Sequence, residues 1–294
     1  MMKDASGSTG YDFGSCELVA TDMDGTFITY GAKIPDRNRK AAEICDKNGV
    51  HFVIASGRSY KSLGDFIGVE GENGYIIAHN GARIATAGAK KELMRRPLSM
   101  DDARFLLDLG DRLSVCACVW ADEMLYISRK TRNGELYAEA SLSETFYFDA
   151  KDPFFLKTTV GDRSNIDKIY WTAFDDGRGW ESGEIAKLIP DSVVCFTSGG
   201  GCMEFVDKDV SKGSALKKLC ELIGADVAGT VAFGDSENDI SLLSAAGLGV
   251  AVANADERVK AVAGLVTGTN NDCGVADAID RLFGKEQLRK KYGL

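Results

Sequence analysis

Two aspartates separated by a single residue, Asp22 and Asp24, follow a short apolar run and precede Gly25 and Thr26. Two carboxylates this close repel each other unless a positive charge lies nearby. In such a pair, one carboxylate can act as a nucleophile and the other as a proton donor. The alternative is an acidic turn or helix cap, a role that Asp often takes. The apolar run before the pair, and the partner groups described next, favour the catalytic interpretation.

A second acidic loop, residues 235–239 (DSEND), follows an apolar run that ends at Gly234. Its oxygen-rich side chains are the hard ligands that Mg²⁺ prefers in proteins. The alternative is capping of the next helix, whose first turn favours acidic residues. Capping explains the acidic composition but not the position of Asp235 directly after a strand. We therefore favour a cation-binding loop.

Two further groups could bind an anion. Ser56, Gly57 and Arg58 supply a hydroxyl, backbone N–H groups and a guanidinium at the start of a helix-like stretch. That combination is typical of an anion site. Lys212 carries a compact positive charge that can bind phosphate oxygens, although an isolated lysine is usually a solvated surface residue. Its place among the other three groups favours a role in the same site.

Alternating strands and helices position these four groups. Apolar runs over 17–21, 50–55 and 230–233 predict strands, and each run ends at one of the polar groups. Apolar residues at helical spacing predict helices over 211–223 and 272–283. This alternation is typical of parallel βαβ units, in which ligands bind outside the carboxyl ends of the strands. We therefore expect the four groups to converge at one edge of the sheet.

The middle of the chain has a different pattern. Residues 114–128 predict a β-hairpin, and further strand candidates cluster around it. Clustered strands joined by turns favour an antiparallel sheet with helices on one face. The predicted fold class is therefore α/β, with a Rossmann-like parallel sheet core, helices on both faces, and an inserted α+β domain that has an antiparallel sheet. We predict a discontinuous core over 15–86 and 203–294 and an inserted domain over 87–202.

Composition excludes several classes of protein. The 294-residue chain is 45% hydrophobic and has a formal net charge of −9, with no basic run, which argues against a nucleic-acid or membrane partner. No apolar stretch has the length of a spanning helix. Residues 1–14 predict a disordered leader without the apolar segment of a signal peptide. Eight scattered cysteines then favour reduced thiols and a cytoplasmic location.

Taken together, the four groups resemble the four motifs of the haloacid dehalogenase-like phosphatases. The layout is similar to the Cof-type subfamily, in which a C2-type cap domain is inserted between the second and third motifs. Two shorter runs, at 80–82 and 275–276, support the resemblance, which covers nearly the whole chain after residue 14. The four motifs stand in the expected order at residues 22–26 (DMDGT), 56–58 (SGR), 211–213 (SKG) and 234–239 (GDSEND).

The resemblance implies a Mg²⁺-dependent phosphatase that acts on small phosphorylated metabolites, with sugar phosphates as the expected phosphomonoester partners. It implies that Asp22 attacks phosphorus to form an aspartyl-phosphate. Asp24 would protonate the leaving alcohol and then activate the water that hydrolyses the intermediate. The implied Mg²⁺ ligands are the carboxylates of Asp22 and Asp235 and the backbone carbonyl of Asp24.

The resemblance also implies roles for the other motif residues. Asp239 is expected to orient Lys212 or a metal-bound water rather than to bind the metal directly. The inserted domain would close over the site and select the leaving group. The residues implied to bind the phosphoryl group or the substrate are Ser56, Gly57, Arg58, Lys212 and Asn238.

Two other functions fit part of the pattern. A sugar phosphomutase of the same superfamily would share Asp22 and Asp24 but return the phosphate to the substrate. A phospho-accepting signalling module would also use an acidic pocket and a lysine. Such modules are single small domains without a general acid two residues after the phosphorylated aspartate, so the length of 294 residues and the inserted domain count against this interpretation.

Overall fold

The computed structural model describes residues 16–63, 69, 71, 73–149 and 165–283. The predicted leader over 1–14 lies outside the described residues. The described residues fall into two compact units. Of these residues, the first unit contains 16–56, 69, 71, 73–93 and 211–283, and the second contains 57–63, 94–149 and 165–210.

Strands and helices are numbered here in chain order. The described strands are β1 (Leu18–Thr21), β2 (His51–Ala55), β3 (Tyr75–Ala78), β4 (Arg83–Thr86), β5 (Glu92–Arg95), β6 (Ala117–Ala121), β7 (Met124–Ile127), β8 (Thr145–Tyr147), β9 (Ile166–Trp171), β10 (Val193–Ser198), β11 (Cys202–Asp207), β12 (Thr230–Gly234), β13 (Leu248–Ala251) and β14 (Leu265–Val266). The described helices are α1 (Asp36–Lys47), α2 (Tyr60–Leu63), α3 (Met100–Arg112), α4 (Arg132–Ser141), α5 (Ser182–Ile185), α6 (Lys212–Ile223), α7 (Ile240–Ala245), α8 (Glu257–Val262) and α9 (Gly274–Phe283). None of these helices has both the length and the apolar composition of a membrane-spanning segment.

The first sheet has the order β14-β13-β12-β1-β2-β3-β4-β5 among the described residues. Its strands run parallel from β14 to β3, and β4 then runs antiparallel to β3. The central strands β1 and β12 are fully buried, as expected for a parallel sheet covered on both faces. Helix α1 packs against α9, and α6 packs against α7. The predicted parallel α/β core is confirmed.

Strand register explains why the polar groups converge. Residue Thr21 at the end of β1 pairs with Phe233 of β12 on one side and with Ile54 of β2 on the other. Because β12, β1 and β2 are parallel neighbours, the residues that follow them lie at one edge of the sheet. Those residues are Asp235, Asp22 and Ser56, as the spacing predicts.

The second sheet has the order β10-β11-β9-β6-β7-β8 and is antiparallel except for the pair β7–β8. The predicted hairpin over 114–128 is confirmed as β6 and β7. One face of the sheet packs against α3 through residues such as Trp171 and Leu106. The opposite face carries Trp120 and Tyr170, which pack with Tyr137 of α4. The predicted α+β character of the inserted region is therefore confirmed.

The structure differs from the sequence analysis over residues 203–210. We predicted that the second core segment begins at residue 203, but β11 pairs with β9 and β10 in the second sheet. The physical reason is that Met203 and Phe205 are buried in the core of that sheet. The compact first unit resumes only at Ser211.

Candidate active site

A buried lysine joins two of the acidic groups. Lys212 is the first residue of α6, which begins with a capping box formed by Ser211 and Ser214. Its Nζ donates to Oδ1 of Asp22 at 2.6 Å and to Oδ1 of Asp239 at 2.7 Å. The Lys212 side chain is fully buried, so these ion pairs are weakly screened by water. Lys212 therefore fixes one oxygen of Asp22, the predicted nucleophile.

Asp239 uses both of its carboxylate oxygens within the protein. While Oδ1 accepts from Lys212, Oδ2 accepts from the backbone N–H groups of Asp235 and Ser236, each at 3.0 Å. The residue is completely buried. Through these hydrogen bonds, Asp239 holds the loop at 235–239 and the side chain of Lys212 in place. This geometry supports its predicted role as an orienting residue.

Asp235 lies directly against the turn that follows Asp22. Its Oδ1 accepts from the Thr26 hydroxyl at 2.6 Å, and its Oδ2 accepts from the Ser236 hydroxyl at 3.0 Å. Gly25 has a φ of +80°, and a Cβ placed there would lie 2.5 Å from Oδ2 of Asp235. The turn therefore needs glycine both for its backbone conformation and for the close approach of Asp235.

Substituting Gly25→Ala is expected to lower kcat/KM for the predicted phosphate release at least about tenfold, because the added methyl group would displace Asp235 from the site. The matched control is Gly224→Ala, where φ is +75° but no atom lies within 4 Å of the added Cβ. Both variants should lose about 1 kcal/mol of unfolding free energy from the left-handed backbone. Equal activity of the two variants, measured beside chemical denaturation, would contradict the proposed crowding at Asp235.

Burial and neighbouring negative charge raise the pKa values of two carboxylates in the site, Asp22 and Asp235. Burial, followed by the charge of Asp239, raises the pKa of Asp22 well above its ordinary value, with Lys212 acting in the opposite direction. The same two causes raise the pKa of Asp235 to about 6. Three carboxylates thus share one ammonium group, and a further cation would relieve the remaining repulsion.

The donor set fits Mg²⁺. One carboxylate oxygen each from Asp22, Asp235 and Asp239 lie within 4.8 Å of one another. Asp239 is completely buried and accepts from an ammonium group and two backbone N–H groups, whereas Asp235 accepts only from two hydroxyl groups, so Asp22 and Asp235 are the better ligands. All of the donors are oxygens, which Mg²⁺ prefers. This fit supports the predicted Mg²⁺ ligands on these two side chains.

Asp24 differs from Asp22 in exposure. The Asp22 residue is only 6% exposed, whereas Asp24 is exposed to solvent. The backbone of Asp24 forms an isolated parallel bridge with Ile28, which fixes the turn after β1. One carboxylate of the pair is thus held rigidly and the other can reach solvent. This difference supports the predicted roles of Asp22 as the nucleophile and of Asp24 as the acid–base residue.

A further residue, Asn80, links two of the predicted substrate-binding residues. The Asn238 side chain donates from Nδ2 to Oδ1 of Asn80 at 3.0 Å, and the Asn80 backbone N–H donates to the Ser56 carbonyl at 3.0 Å. In the sequence, residues 80–82 support the family resemblance but predict no role for Asn80. The available signal was that Asn80 follows a third parallel strand, which ends at Ala78.

Gly57 and Arg58 belong to the second unit by their contacts. The carbonyl of Gly57 accepts from Nζ of Lys168 at 2.5 Å. The guanidinium of Arg58 donates to the carbonyl of Ser62 at 3.1 Å, within the same short segment. Lys168 was not singled out in the sequence. Phosphate binding by Gly57 and Arg58 stays a prediction.

A parallel α/β sheet with two aspartates at one strand end, next to carboxylates that a buried lysine joins, fits the class of enzymes that transfer a group through a carboxylate nucleophile. Within that class, the chain belongs to the haloacid dehalogenase-like hydrolases, whose family model matches residues 19–279. The predicted family and the predicted enzyme class, a phosphatase-type hydrolase, are confirmed.

Relatives with known names support this membership. The chain is 29% identical over 265 residues to a 5-amino-6-(5-phospho-D-ribitylamino)uracil phosphatase of Bacillus subtilis, covering 90% of this chain and 94% of the relative. It is 28% identical over 281 residues to an Escherichia coli phosphatase of the same name, covering 92% and 98%. A solved haloacid dehalogenase-like hydrolase from B. subtilis has the same fold, with a TM-score of 0.77, 24% identity, and coverage of 90% and 99%.

Proposed function

We propose that this protein is a Mg²⁺-dependent phosphatase that hydrolyses small sugar-type phosphomonoesters through an aspartyl-phosphate on Asp22. The observation that carries this proposal is the Asp22 carboxylate, which Lys212 holds at the carboxyl edge of the sheet, beside Asp235. The eight free cysteine thiols support the predicted cytoplasmic location.

Asp22 is positioned for nucleophilic attack. Since Lys212 pairs with Oδ1, the second oxygen of Asp22 is the one that attacks phosphorus. The bond from phosphorus to the leaving oxygen breaks, and its electron pair goes to the leaving alcohol. Holding one oxygen in a buried ion pair orients the other before substrate arrives, which lowers the entropic cost of attack.

Asp24 supplies the protons. In the first step its carboxyl group gives a proton to the leaving alkoxide. In the second step its carboxylate takes a proton from water as the water oxygen attacks phosphorus. The bond between phosphorus and Asp22 then breaks, which releases inorganic phosphate and restores the free carboxylate. The solvent exposure of Asp24 suits this exchange of protons.

Lys212 offsets part of the negative charge in this site, and a bound cation would offset more of it. Asp22 and Asp235 would hold Mg²⁺, together with the predicted backbone carbonyl of Asp24. When bound, Mg²⁺ supplies positive charge that reduces the repulsion between an anionic nucleophile and an anionic phosphate. Ser56 and Asn238 are proposed to contact the phosphoryl group or the substrate.

Removing divalent cations is expected to lower phosphate release at least about 100-fold, and excess Mg²⁺ should restore it. The measurement is release of inorganic phosphate from a generic aryl phosphate with Mg²⁺, with EDTA, and after re-addition of Mg²⁺.

Asp235→Asn should raise the Mg²⁺ concentration needed for half-maximal rate about tenfold or more, because it removes a charged ligand. Asp101→Asn is the control, since the Asp101 side chain is 95% exposed. Full activity in EDTA would contradict the proposed cofactor.

The substrate class rests on a chemical similarity to the relatives. Both named phosphatases act on a phosphorylated ribityl chain, which is a sugar alcohol phosphate. We extend this class to the present chain as small sugar and sugar-alcohol phosphates. A panel of phosphorylated metabolites, scored by kcat/KM, tests that extension. A strong preference for phosphopeptides or nucleotides over all sugar phosphates would contradict it.

Two experiments separate the proposed phosphatase from its alternatives. Incubation with a hexose phosphate distinguishes hydrolysis, which releases inorganic phosphate, from the mutase reaction, which yields an isomeric sugar phosphate. A signalling module would instead keep its phosphate on Asp22, so acid quenching at intervals would find a long-lived phosphoprotein. The phosphatase proposal requires released phosphate and only a transient phosphoprotein.

A further inference from the structure

The turn that follows β3 has an unusual backbone. Three consecutive residues have positive φ angles: His79 at 50°, Asn80 at 57° and Gly81 at 109°. Left-handed conformations of non-glycine residues are costly and persist only where the surrounding structure enforces them. His79 and Asn80 are also buried, with exposures of 0% and 1%. Because strained backbone conformations cluster at functional sites, this buried turn at the carboxyl edge of the sheet is a candidate for a functional role.

This turn contacts three of the four motif segments. The Asn80 backbone N–H donates to the carbonyl of Ser56 at 3.0 Å. The Asn80 side chain accepts from Nδ2 of Asn238 at 3.0 Å. A Cβ on Gly81 would lie 2.3 Å from the carbonyl oxygen of Ser211, the residue before Lys212. The close packing at Gly81 fixes the turn against the start of α6, so Asn80 has a defined position between Ser56 and Asn238.

The hydrogen bond from Asn238 also fixes the orientation of its amide group. A side-chain amide can present either its oxygen or its NH₂ group to a neighbour. Because Oδ1 of Asn80 is an acceptor, it selects the NH₂ group of Asn238 and directs the Asn238 oxygen elsewhere. Asn80 is buried, so bulk water does not readily take its place. Without Asn80, the Asn238 amide would be free to rotate.

We infer that Asn80 is a positioning residue for the reaction proposed above, on which this inference rests. It holds the amide of Asn238 and the backbone at Ser56 in the arrangement that binds the substrate. Asn80 acts through these two residues rather than on the reacting atoms. The left-handed turn is the structural means by which a residue after β3 reaches both of them.

The variant that tests this inference is Asn80→Gly, which removes the amide but keeps a backbone that readily adopts positive φ. Kinetics are measured on an aryl phosphate with Mg²⁺ for the wild type, Asn80→Gly, Asn238→Ala and the double variant. We expect Asn80→Gly to raise KM and the inhibition constant of inorganic phosphate about tenfold, with kcat within about threefold, because substrate binding is weakened uniformly. In the Asn238→Ala background the same substitution should change KM less than about twofold.

These outcomes separate positioning from a purely structural role. Partial unfolding would reduce the concentration of active enzyme and so lower the apparent kcat, while leaving KM unchanged. An unchanged KM in Asn80→Gly, or an equal effect in the presence and absence of Asn238, would overturn the inference while wild-type activity still supports the proposed function. Absence of phosphate release from the wild type, across a substrate panel with Mg²⁺, would instead overturn the proposed function and this inference with it.

Discussion

Asp22→Asn is expected to lower phosphate release at least about 10³-fold, which corresponds to roughly 4 kcal/mol of activation free energy. The substitution keeps the shape of the side chain but removes the anionic nucleophile. It also removes one of the two predicted side-chain ligands of Mg²⁺. Asp239 is not expected to replace the nucleophile, since its two oxygens are committed to Lys212 and to two backbone N–H groups.

The same substitution is expected to leave the folded state about as stable as the wild type. Burial and neighbouring charge raise the pKa of Asp22, so its ionised form is less favourable in the folded protein than in the unfolded chain. A neutral amide avoids this cost. Lys212 keeps its ion pair with Asp239, at 2.7 Å, and so retains a partner for its buried charge. The Asp22→Asn substitution should therefore remove most of the activity while leaving the free energy of unfolding nearly unchanged.

Phosphate release and thermal unfolding of Asp22→Asn, measured beside Asp101→Asn as the exposed control, test both expectations. Acid quenching during turnover adds a direct readout, because the wild type should contain a small amount of acid-stable phosphoprotein and Asp22→Asn should contain none. Activity above about one-hundredth of the wild-type rate would show that Asp22 is not the nucleophile. A large drop in unfolding temperature would contradict the expected effect of burial on Asp22.

The residues that are best predicted from sequence are those that directly follow apolar strands. Asp22, Ser56 and Asp235 each follow such a run, and parallel pairing of β12, β1 and β2 is sufficient to bring them to one edge. Lys212 is predictable for a related reason, because it starts a helix that returns to the same sheet. In each case a local pattern and a general rule of sheet topology determine the position.

Other features depend on contacts between distant parts of the chain. Asn80 and Asn238 are 158 positions apart, and neither has a sequence pattern that pairs it with the other. Asn80 and Gly81 are residue types that tolerate a positive φ, but their types alone do not predict three consecutive residues with positive φ. The sequence predicts a core segment from residue 203 because the alternation of helices and strands returns after that point, but the structure places strand β11 (Cys202–Asp207) in the second sheet. Its pairing with β9 and β10 is set by the packing of Phe205, which is a tertiary contact.

Lys212→Met is expected to destabilise the protein by about 3–5 kcal/mol and to lower phosphatase activity at least about 10²-fold. Methionine fills a similar volume but cannot donate hydrogen bonds, so Asp22 and Asp239 would be left as neighbouring buried carboxylates. Asp239 is completely buried, and water cannot readily take the place of the ammonium group. Breaking a buried ion pair from one side costs more than the pair itself contributes, because the remaining charge is uncompensated.

A second substitution separates the loss of stability from the loss of activity. In Lys212→Met/Asp239→Asn, one of the two uncompensated carboxylates becomes neutral, and the new amide oxygen can still accept from the N–H groups of Asp235 and Ser236. We expect urea denaturation to show that the double variant regains about half of the lost stability, whereas its activity stays low because the charge that orients Asp22 is absent. Lys218→Met on the same helix is the control, since its side chain is 48% exposed and pairs only weakly with Glu221. If Lys212→Met and Lys218→Met unfold at the same urea concentration, the buried ammonium does not stabilise the two carboxylates that it joins, and the expected loss of stability is wrong.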